Sequence, residues 1–408
     1  GIRACAPDAL VGRAIHEAAW ARDLRGSVAV IAAGKAMEGM VWGARTLIRR
    51  GLLVGPARIQ GELSPFLESI VGGHPSPNAG SEEAGRKALA LAESLNADDT
   101  LLVLISGGAS ALMVAPADGI SLDEKRATTD RLMREGADIH ALNTVRKHLS
   151  QIKGGWLAAR TRATTIALAI SDVVGDDPSV IASGPTVADV STFADALEFL
   201  RRCGGESVYP AAVVARLQRG AEDGLPETPK PGDPRLARAT TTIIGSRRDA
   251  MRGAADEARR LGYHVAAIDD AVVGEARGAA AAFVRDALAR AATLPRPVAV
   301  IASGETTVHV KGKGKGGRNQ EFALAAAAAM PRDAALASVG TDGVDGPTDA
   351  AGAIAGSTTL NRARAAGLDP QEYLDGNNAY AFFSALGDLI HTGPTGTNVG
   401  DLQLILLS

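Results

Sequence analysis

Short runs of consecutive apolar residues recur along the chain, and many are β-branched. Each ends in glycine or in a polar turn and leads into a stretch whose apolar positions follow helical spacing. Residues 28–34 (VAVIAAG) precede Met37, Met40, Val41 and Ala44, one face of a helix. Residues 101–105 (LLVLI) run into Ser106-Gly107-Gly108, and residues 165–170 (TIALAI) into Ser171-Asp172. In the second half, residues 241–245, 264–269 and 298–304 repeat the form. Fully apolar strands alternating with helices predict parallel α/β sheets covered on both faces. Ligands of such sheets bind beyond the carboxyl ends of the strands, where these glycine-rich loops fall. No short-period repeat occurs, which excludes a solenoid.

The pattern breaks at residues 222–234, a polar stretch with Pro226, Pro229, Pro231 and Pro234. Four prolines forbid a helix or a central strand there. The expected organisation is therefore a first α/β domain over 1–220, a proline-rich linker over 221–238 and a second α/β domain over 239–408. A chain of 408 residues has room for two to three domains with real cores.

Charge changes the picture little. Lys and Arg number 43 against 46 Asp and Glu, so no global basic field for nucleic acid exists. Only 3% of residues are aromatic, which argues against base-stacking surfaces. Cys5 and Cys203 form neither a disulfide framework nor a metal cluster, and the expected compartment is the reducing cytoplasm. No apolar run reaches bilayer length, no signal-peptide pattern is read, and the chain starts at Gly1. Glycine is abundant, with 47 residues against a usual share of about 7%.

Much of that glycine sits in loops fit for chemistry. Lys311-Gly312-Lys313-Gly314-Lys315-Gly316-Gly317-Arg318 follows a strand-like run and opens a helix-like one. Glycines let backbone N–H groups approach an anion, a helix N-terminus adds a positive end, and the four basic side chains suit a polyphosphate. Gly312, Gly314 and Gly317 also fit G-x-G-x-x-G, a weak match when lysines fill the variable positions. No G-x-x-x-x-G-K-[ST] occurs, which excludes a Walker-type NTPase. Lys35 stands at a strand end and helix start, where an ammonium suits a transferring phosphate better than a bare helix start. Ser106, Gly107, Gly108 and Ser110 form a second turn with backbone donors. Asp172 and Asp176 lie in one acidic loop, Asp342, Asp345 and Asp349 in another. Carboxylates there hold Mg²⁺ or take a hydroxyl proton, or merely form turns. The spacing of the second loop is not that of an EF-hand, which excludes calcium. Gly73-His74-Pro75-Ser76 presents His74 or Ser76. Arg146, Lys147 and His148 are consecutive, and Asn398 ends a hydroxyl-rich loop. Anion-binding turns with acidic loops on paired α/β domains point to phosphoryl transfer.

Taken together and in order, these loops resemble the class II glycerate kinases, whose C-terminal part is the MOFRL domain. The motifs are Gly34-Lys35-Ala36, Gly73-His74-Pro75, Ser106-Gly107-Gly108-Ala109-Ser110, Asn143 to His148 with Lys153-Gly154-Gly155, and Ser171-Asp172-Val173-Val174-Gly175-Asp176. Ser183-Gly184-Pro185-Thr186, Gly304-Glu305-Thr306, Gly317-Arg318-Asn319-Gln320-Glu321, residues 340–346 and Thr395-Gly396-Thr397-Asn398 follow. The joint pattern spans nearly the whole chain.

The resemblance implies an N-terminal Rossmann-like parallel sheet and a C-terminal mixed α/β domain, with the active site in the cleft between them. It implies ATP-dependent phosphorylation of D-glycerate to 2-phosphoglycerate and ADP, with Mg²⁺. Lys35 and Arg318 are expected at the phosphoryl group and Asp172 as a catalytic carboxylate. Ser106, Gly107, Gly108, Ser110, Lys313, Lys315, Gly316 and Gly317 are expected at the nucleotide phosphates. His74, Arg146, His148, Lys153 and Asn398 are the substrate candidates, and Asp176 and Asp342 the metal candidates. The partners are then small molecules, with neither nucleic acid nor membrane, and the enzyme a monomer or homodimer. Family members also carry the label hydroxypyruvate reductase, from tartrate and glyoxylate metabolism, so NAD(P)H-dependent reduction is the alternative. A third reading, a polyanion-binding protein built on residues 311–318, predicts salt-sensitive binding to any anionic polymer.

Overall fold

The computed structural model describes residues 1–22, 24, 26–59 and 64–408. They divide into two compact units, Pro7–Ile244 and Gly1–Ala6 with Gly245–Ser408. The first is built on six strands: β1 (Val28–Ala33), β2 (Arg50–Gly55), β3 (Leu67–Val71), β4 (Thr100–Ile105), β5 (Thr164–Ile170) and β6 (Ala239–Gly245). Their order is β3-β2-β1-β4-β5-β6, and the pairs among β1 to β5 are parallel. Every residue of β1 and β4 is buried, as continuous apolar strands covered on both faces require. The helix Met37–Ala44 buries Met37, Met40, Val41 and Ala44, the face read from the sequence.

The second unit holds β7 (His264–Ala267), β8 (Val272–Glu275), β9 (Val298–Thr307), β10 (Ala334–Gly340), β11 (Gly352–Gly356), β12 (Leu389–Ile390) and β13 (Asp401–Leu407). The order is β12-β11-β10-β13-β9-β7, with β8 also on β9. β7 and β8 run parallel to β9, while β9, β13, β10, β11 and β12 pair antiparallel in succession. The sheet is mixed, as expected. Phe283, Phe322, Phe382 and Phe383 join its aliphatic strands in one core.

The proline-rich stretch lies differently from a free linker. Asp189 N–H donates to Pro229 O at 2.8 Å, Thr228 Oγ1 to Asp189 Oδ2 at 3.0 Å, and Phe193 N–H to Glu227 Oε1 at 2.8 Å. Prolines exclude an α-helix or a central strand, leaving only a short 3-10 turn at Pro234–Leu236, yet side chains between them still dock. β6 then completes the first sheet, so the units divide at 244/245. No helix among the described residues is long and apolar enough to cross a membrane.

Candidate functional site

In the order 3-2-1-4-5-6 the chain reverses direction between β1 and β4, and the loops leaving those strands open a crevice where ligands bind. Here these loops are tied together. Lys35 N–H donates to Gly107 O at 2.9 Å, and Ala36 N–H to Ser106 Oγ at 3.0 Å. Gly34 has φ +131°, and a Cβ there would lie 2.1 Å from Ser106 Oγ, so only glycine lets the loops meet. Ser106 and Gly107 thus form the seam that fixes Lys35, through acceptor atoms of their own.

Beside this seam lies a cavity of about 310 Å³, lined by His74, Gly108, Ser110, Lys125, Arg146 and Lys153 among others. Its described lining holds four basic side chains, Lys125, Arg126, Arg146 and Lys153, against one carboxylate, Asp130. Lys153 is buried, and Nζ donates to Ser110 O and Ser110 Oγ, both at 2.8 Å, and to Ala182 O at 3.5 Å. Lys125 Nζ donates to Leu149 O at 2.7 Å and Arg146 O at 3.0 Å, capping the helix Ile139–His148. These partners are neutral. Burial, then Arg146, pushes Lys153 well below the usual lysine range. Burial, then Lys153, Arg146 and Arg216, does the same to Lys125. Burial also lowers Arg146, with Asp130 opposing it. Buried positive charge without close carboxylates is an electrostatic debt that an anionic ligand removes.

The Arg318 region of the second unit is the reverse. Arg318 Nε and Nη2 donate to Asp401 Oδ2 and Oδ1 at 2.7 and 3.0 Å, and Nη1 to Glu305 Oε1 at 2.7 Å. Burial opposes its charge, but Asp401 and then Glu305 raise its pKa. The helix Arg318–Ala326 is capped by Asp345, whose Oδ1 and Oδ2 accept from Asn319 N–H at 3.0 Å and Gln320 N–H at 2.9 Å. Burial lifts the Asp345 carboxyl to about 6. The helix opening that the sequence assigned to phosphate, at Gly316 and Gly317, therefore already carries the chain's own carboxylate.

The loop lysines Lys313 and Lys315 are exposed, but their backbone is engaged. Asn377 Oδ1 accepts from Lys311 N–H at 2.8 Å and Gly312 N–H at 2.9 Å, and Asn378 Oδ1 from Lys315 N–H at 3.1 Å. A Cβ at Gly312 would sit 2.1 Å from Gly376 O. These glycines permit close packing on residues 376–378, and the backbone donors are spent there.

Of the substrate candidates, His74, Arg146 and Lys153 line the cavity, and Ser110, expected at the nucleotide, joins them. His148 does not. Its Nδ1 is 2.8 Å from Thr144 O, its Nε2 3.1 Å from Glu227 Oε2, and its ring packs on Phe193 in the interior. Asn398 lies in the second unit, where Oδ1 accepts from Gly400 N–H at 3.3 Å. Asp172 is half-buried on the loop after β5. Asp342 accepts Val344 N–H at 3.1 Å, a turn-forming bond. Asp176, at φ 54°, buries Oδ1 without a hydrogen-bond partner, an orphaned carboxylate oxygen that suits a cation. No cluster of three His, Cys, Asp or Glu fit for a metal occurs among the described residues, so one or two carboxylates with ligand oxygens are the fitting donor set. The sequence reading missed Lys125 and Asp401. Lys125 lies in an ordinary amphipathic helix, Leu122–Arg134, and Asp401 opens a strand, so neither carries a motif.

Comparison with known proteins gives the family. Residues 1–218 match a domain of unknown function, DUF4147, and residues 298–401 match the MOFRL family. The D-glycerate 2-kinase of Thermotoga maritima is 41% identical over 394 residues, 93% of this chain and 90% of that protein. A protein of Agrobacterium vitis named as a hydroxypyruvate reductase is 39% identical over 402 residues, 94% of this chain and 88% of its own. A crystal structure of glycerate kinase from Thermotoga maritima superposes with a TM-score of 0.88 at 38% identity, covering 100% of this chain and 96% of that one. The chain belongs to the class II glycerate kinase family, with a MOFRL domain in its C-terminal half.

Proposed function

We propose that this protein transfers the γ-phosphoryl group of ATP to D-glycerate, giving ADP and 2-phosphoglycerate. The observation that carries the reading is the cavity of the first unit, with buried Lys125 and Lys153 and half-buried Arg146 around a space fit for a small anion. Arg146 and Lys125 would hold the glycerate carboxylate, a charge-assisted interaction that also discharges their burial. His74 and Ser110 would border the hydroxyl end. Lys35, fixed by the seam, would neutralise the transferring phosphoryl oxygens. Choice of the 2-hydroxyl follows the name of the Thermotoga maritima relative.

In the second unit Arg318, Lys313 and Lys315 are the candidates for nucleotide phosphates. Arg318 would use the Nη1 edge that now meets Glu305, since Asp401 holds the other edge. Asp176, with Asp172 on the same loop, would hold Mg²⁺. Bound there, the ion would supply neutralisation of the phosphate charge developing in transfer.

ADP release measured with ATP and D-glycerate tests the reading. Release that depends on glycerate supports it. NADH or NADPH oxidation with hydroxypyruvate and no ATP requirement would favour the reductase named for the Agrobacterium vitis relative.

A further inference from the structure

The floor of the cavity is a hydrogen-bond chain whose proton directions are fixed from its far end. Asn143 Nδ2 lies 3.5 Å from Val180 O, a carbonyl that only accepts, so the amide turns its Oδ1 towards Ser183. Ser183 Oγ therefore donates to Asn143 Oδ1, at 2.9 Å. A hydroxyl has one proton, so in the 3.0 Å contact between Ser110 Oγ and Ser183 Oγ the donor is Ser110. Lys153 Nζ donates to Ser110 Oγ and Ser110 O, both at 2.8 Å, and to Ala182 O at 3.5 Å, which uses the three protons of an ammonium. These oxygens favour the charged form against the pull of burial. Ala182 and Ser183, at φ of 53° and 61°, occupy the left-handed region that non-glycine residues enter only where surroundings over-determine it.

Ser110 Oγ has thus spent its one proton on Ser183 and one lone pair on Lys153. One lone pair remains, on a half-buried residue that lines the cavity. That atom is an obligate acceptor. Opposite a phosphate or carboxylate oxygen it meets another acceptor, and opposite a methyl group its lone pair has no donor. A ligand hydroxyl satisfies it. Resting on the kinase reading, we propose that Ser110 is the specificity-determining residue that accepts a hydrogen bond from the 3-hydroxyl of D-glycerate, the hydroxyl that does not react.

The choice between the two hydroxyls follows from what each keeps. The oxygen on carbon 2 is an ester oxygen in the product and has no proton left to donate. The 3-hydroxyl keeps its proton in substrate and product alike, so its bond to Ser110 lasts through the reaction. Arg146 and Ser110 line the same cavity. With Arg146 at the carboxylate and Ser110 at the 3-hydroxyl, glycerate is held at both ends, and the 2-hydroxyl between them is left for phosphoryl transfer. Ser110 then reads the acceptor substrate, and the nucleotide phosphates lie elsewhere.

The test compares D-glycerate with D-lactate, which has the same carboxylate and 2-hydroxyl but a methyl group at carbon 3. ADP release with ATP gives kcat/KM for each. D-lactate is also followed as a competitor of D-glycerate, so that slow turnover still yields its affinity. Wild type should prefer D-glycerate by roughly 50-fold, as an unmet acceptor dictates, and Ser110→Ala should bring that preference to within about threefold by losing D-glycerate and sparing D-lactate. Ser110→Cys, whose thiol accepts only weakly, should narrow the preference in the same direction, and it decides the matter if Ser110→Ala does not fold. A merely structural role for Ser110 lowers both substrates equally. An unchanged preference in the variants, a wild type that takes both acids equally, or a product phosphorylated at carbon 3 overturns the proposal. Wild-type protein that releases no ADP with D-glycerate overturns the kinase reading itself. An active wild type whose preference survives in the variants overturns the role of Ser110 only.

Discussion

The two basic regions of this chain use the same residue types to opposite effect. Around the first-unit cavity, Lys125 and Lys153 spend their protons on backbone carbonyls and a serine, and one exposed carboxylate, Asp130, lines the wall. In the second unit, Arg318 is held on two edges by Asp401 and Glu305, and the helix it opens is capped by Asp345. Compensated charge builds the fold. Uncompensated charge awaits a ligand. Substitutions should therefore separate: those at the cavity change kinetics and spare stability, while those at Arg318 and its partners change stability as well as kinetics.

The largest effect is expected at Lys35. Lys35→Ala should lower kcat by about 10²- to 10³-fold, as loss of one preorganised charge on a developing oxyanion does, with an unchanged thermal midpoint. A kinetically normal Lys35→Ala together with a kinetically normal Arg318→Ala would remove the phosphoryl-transfer assignment. Next comes Asp401→Ala, which strands a buried guanidinium edge. It should cost about 3 kcal/mol in denaturant unfolding, the low end for a broken buried pair because Arg318 is partly exposed. A stability loss at Arg146→Ala as large as that at Asp401→Ala would erase the contrast between the regions.

A smaller effect follows from linkage. Inorganic phosphate at 100 times its Kd should stabilise the wild type by about 2.7 kcal/mol, seen as a raised thermal midpoint, and by much less in Arg146→Ala. Equal stabilisation of both proteins would place the anion elsewhere. The smallest concerns Glu227, which pins the proline-rich stretch. Burial opposes its charge, but His148, Phe193 N–H and Lys230 hold its pKa at about 2, below the ordinary 4.5. Its contribution is full above pH 4.5 and is lost as pH falls towards 2. Glu227→Gln should lose about 1 kcal/mol at pH 7 after solvent screening of a part-exposed carboxylate, and the difference should vanish near pH 2.

Strands were the most legible part of the sequence. The apolar runs of β1 and β4 and the helix face from Met37 to Ala44 follow directly from periodicity, because burial on both faces demands it. Lys35, Ser110, Arg146 and Lys153 were legible as loop chemistry. What the loops do with their donors was not. Gly316 and Gly317 read as a phosphate cradle, yet Asp345, about thirty residues on, fills the helix end. His148 read as a ligand beside Arg146, yet helical geometry turns it inward towards Phe193 and Glu227. Residues 221–238 read as a linker because proline excludes an α-helix or a central strand, and composition says nothing of the hydrogen bonds that fasten it. In each case the deciding partner is remote in sequence and carries no motif.

The central claim is that the cavity of the first unit receives the carboxylate of D-glycerate. The most direct measurement is KM for D-glycerate and for ATP in Arg146→Ala, read from ADP release. Loss of one charged hydrogen-bonded contact, about 2 kcal/mol, predicts a KM for D-glycerate about 30-fold above wild type, with KM for ATP unchanged. An unaltered KM for D-glycerate in a folded, active Arg146→Ala protein would contradict the account.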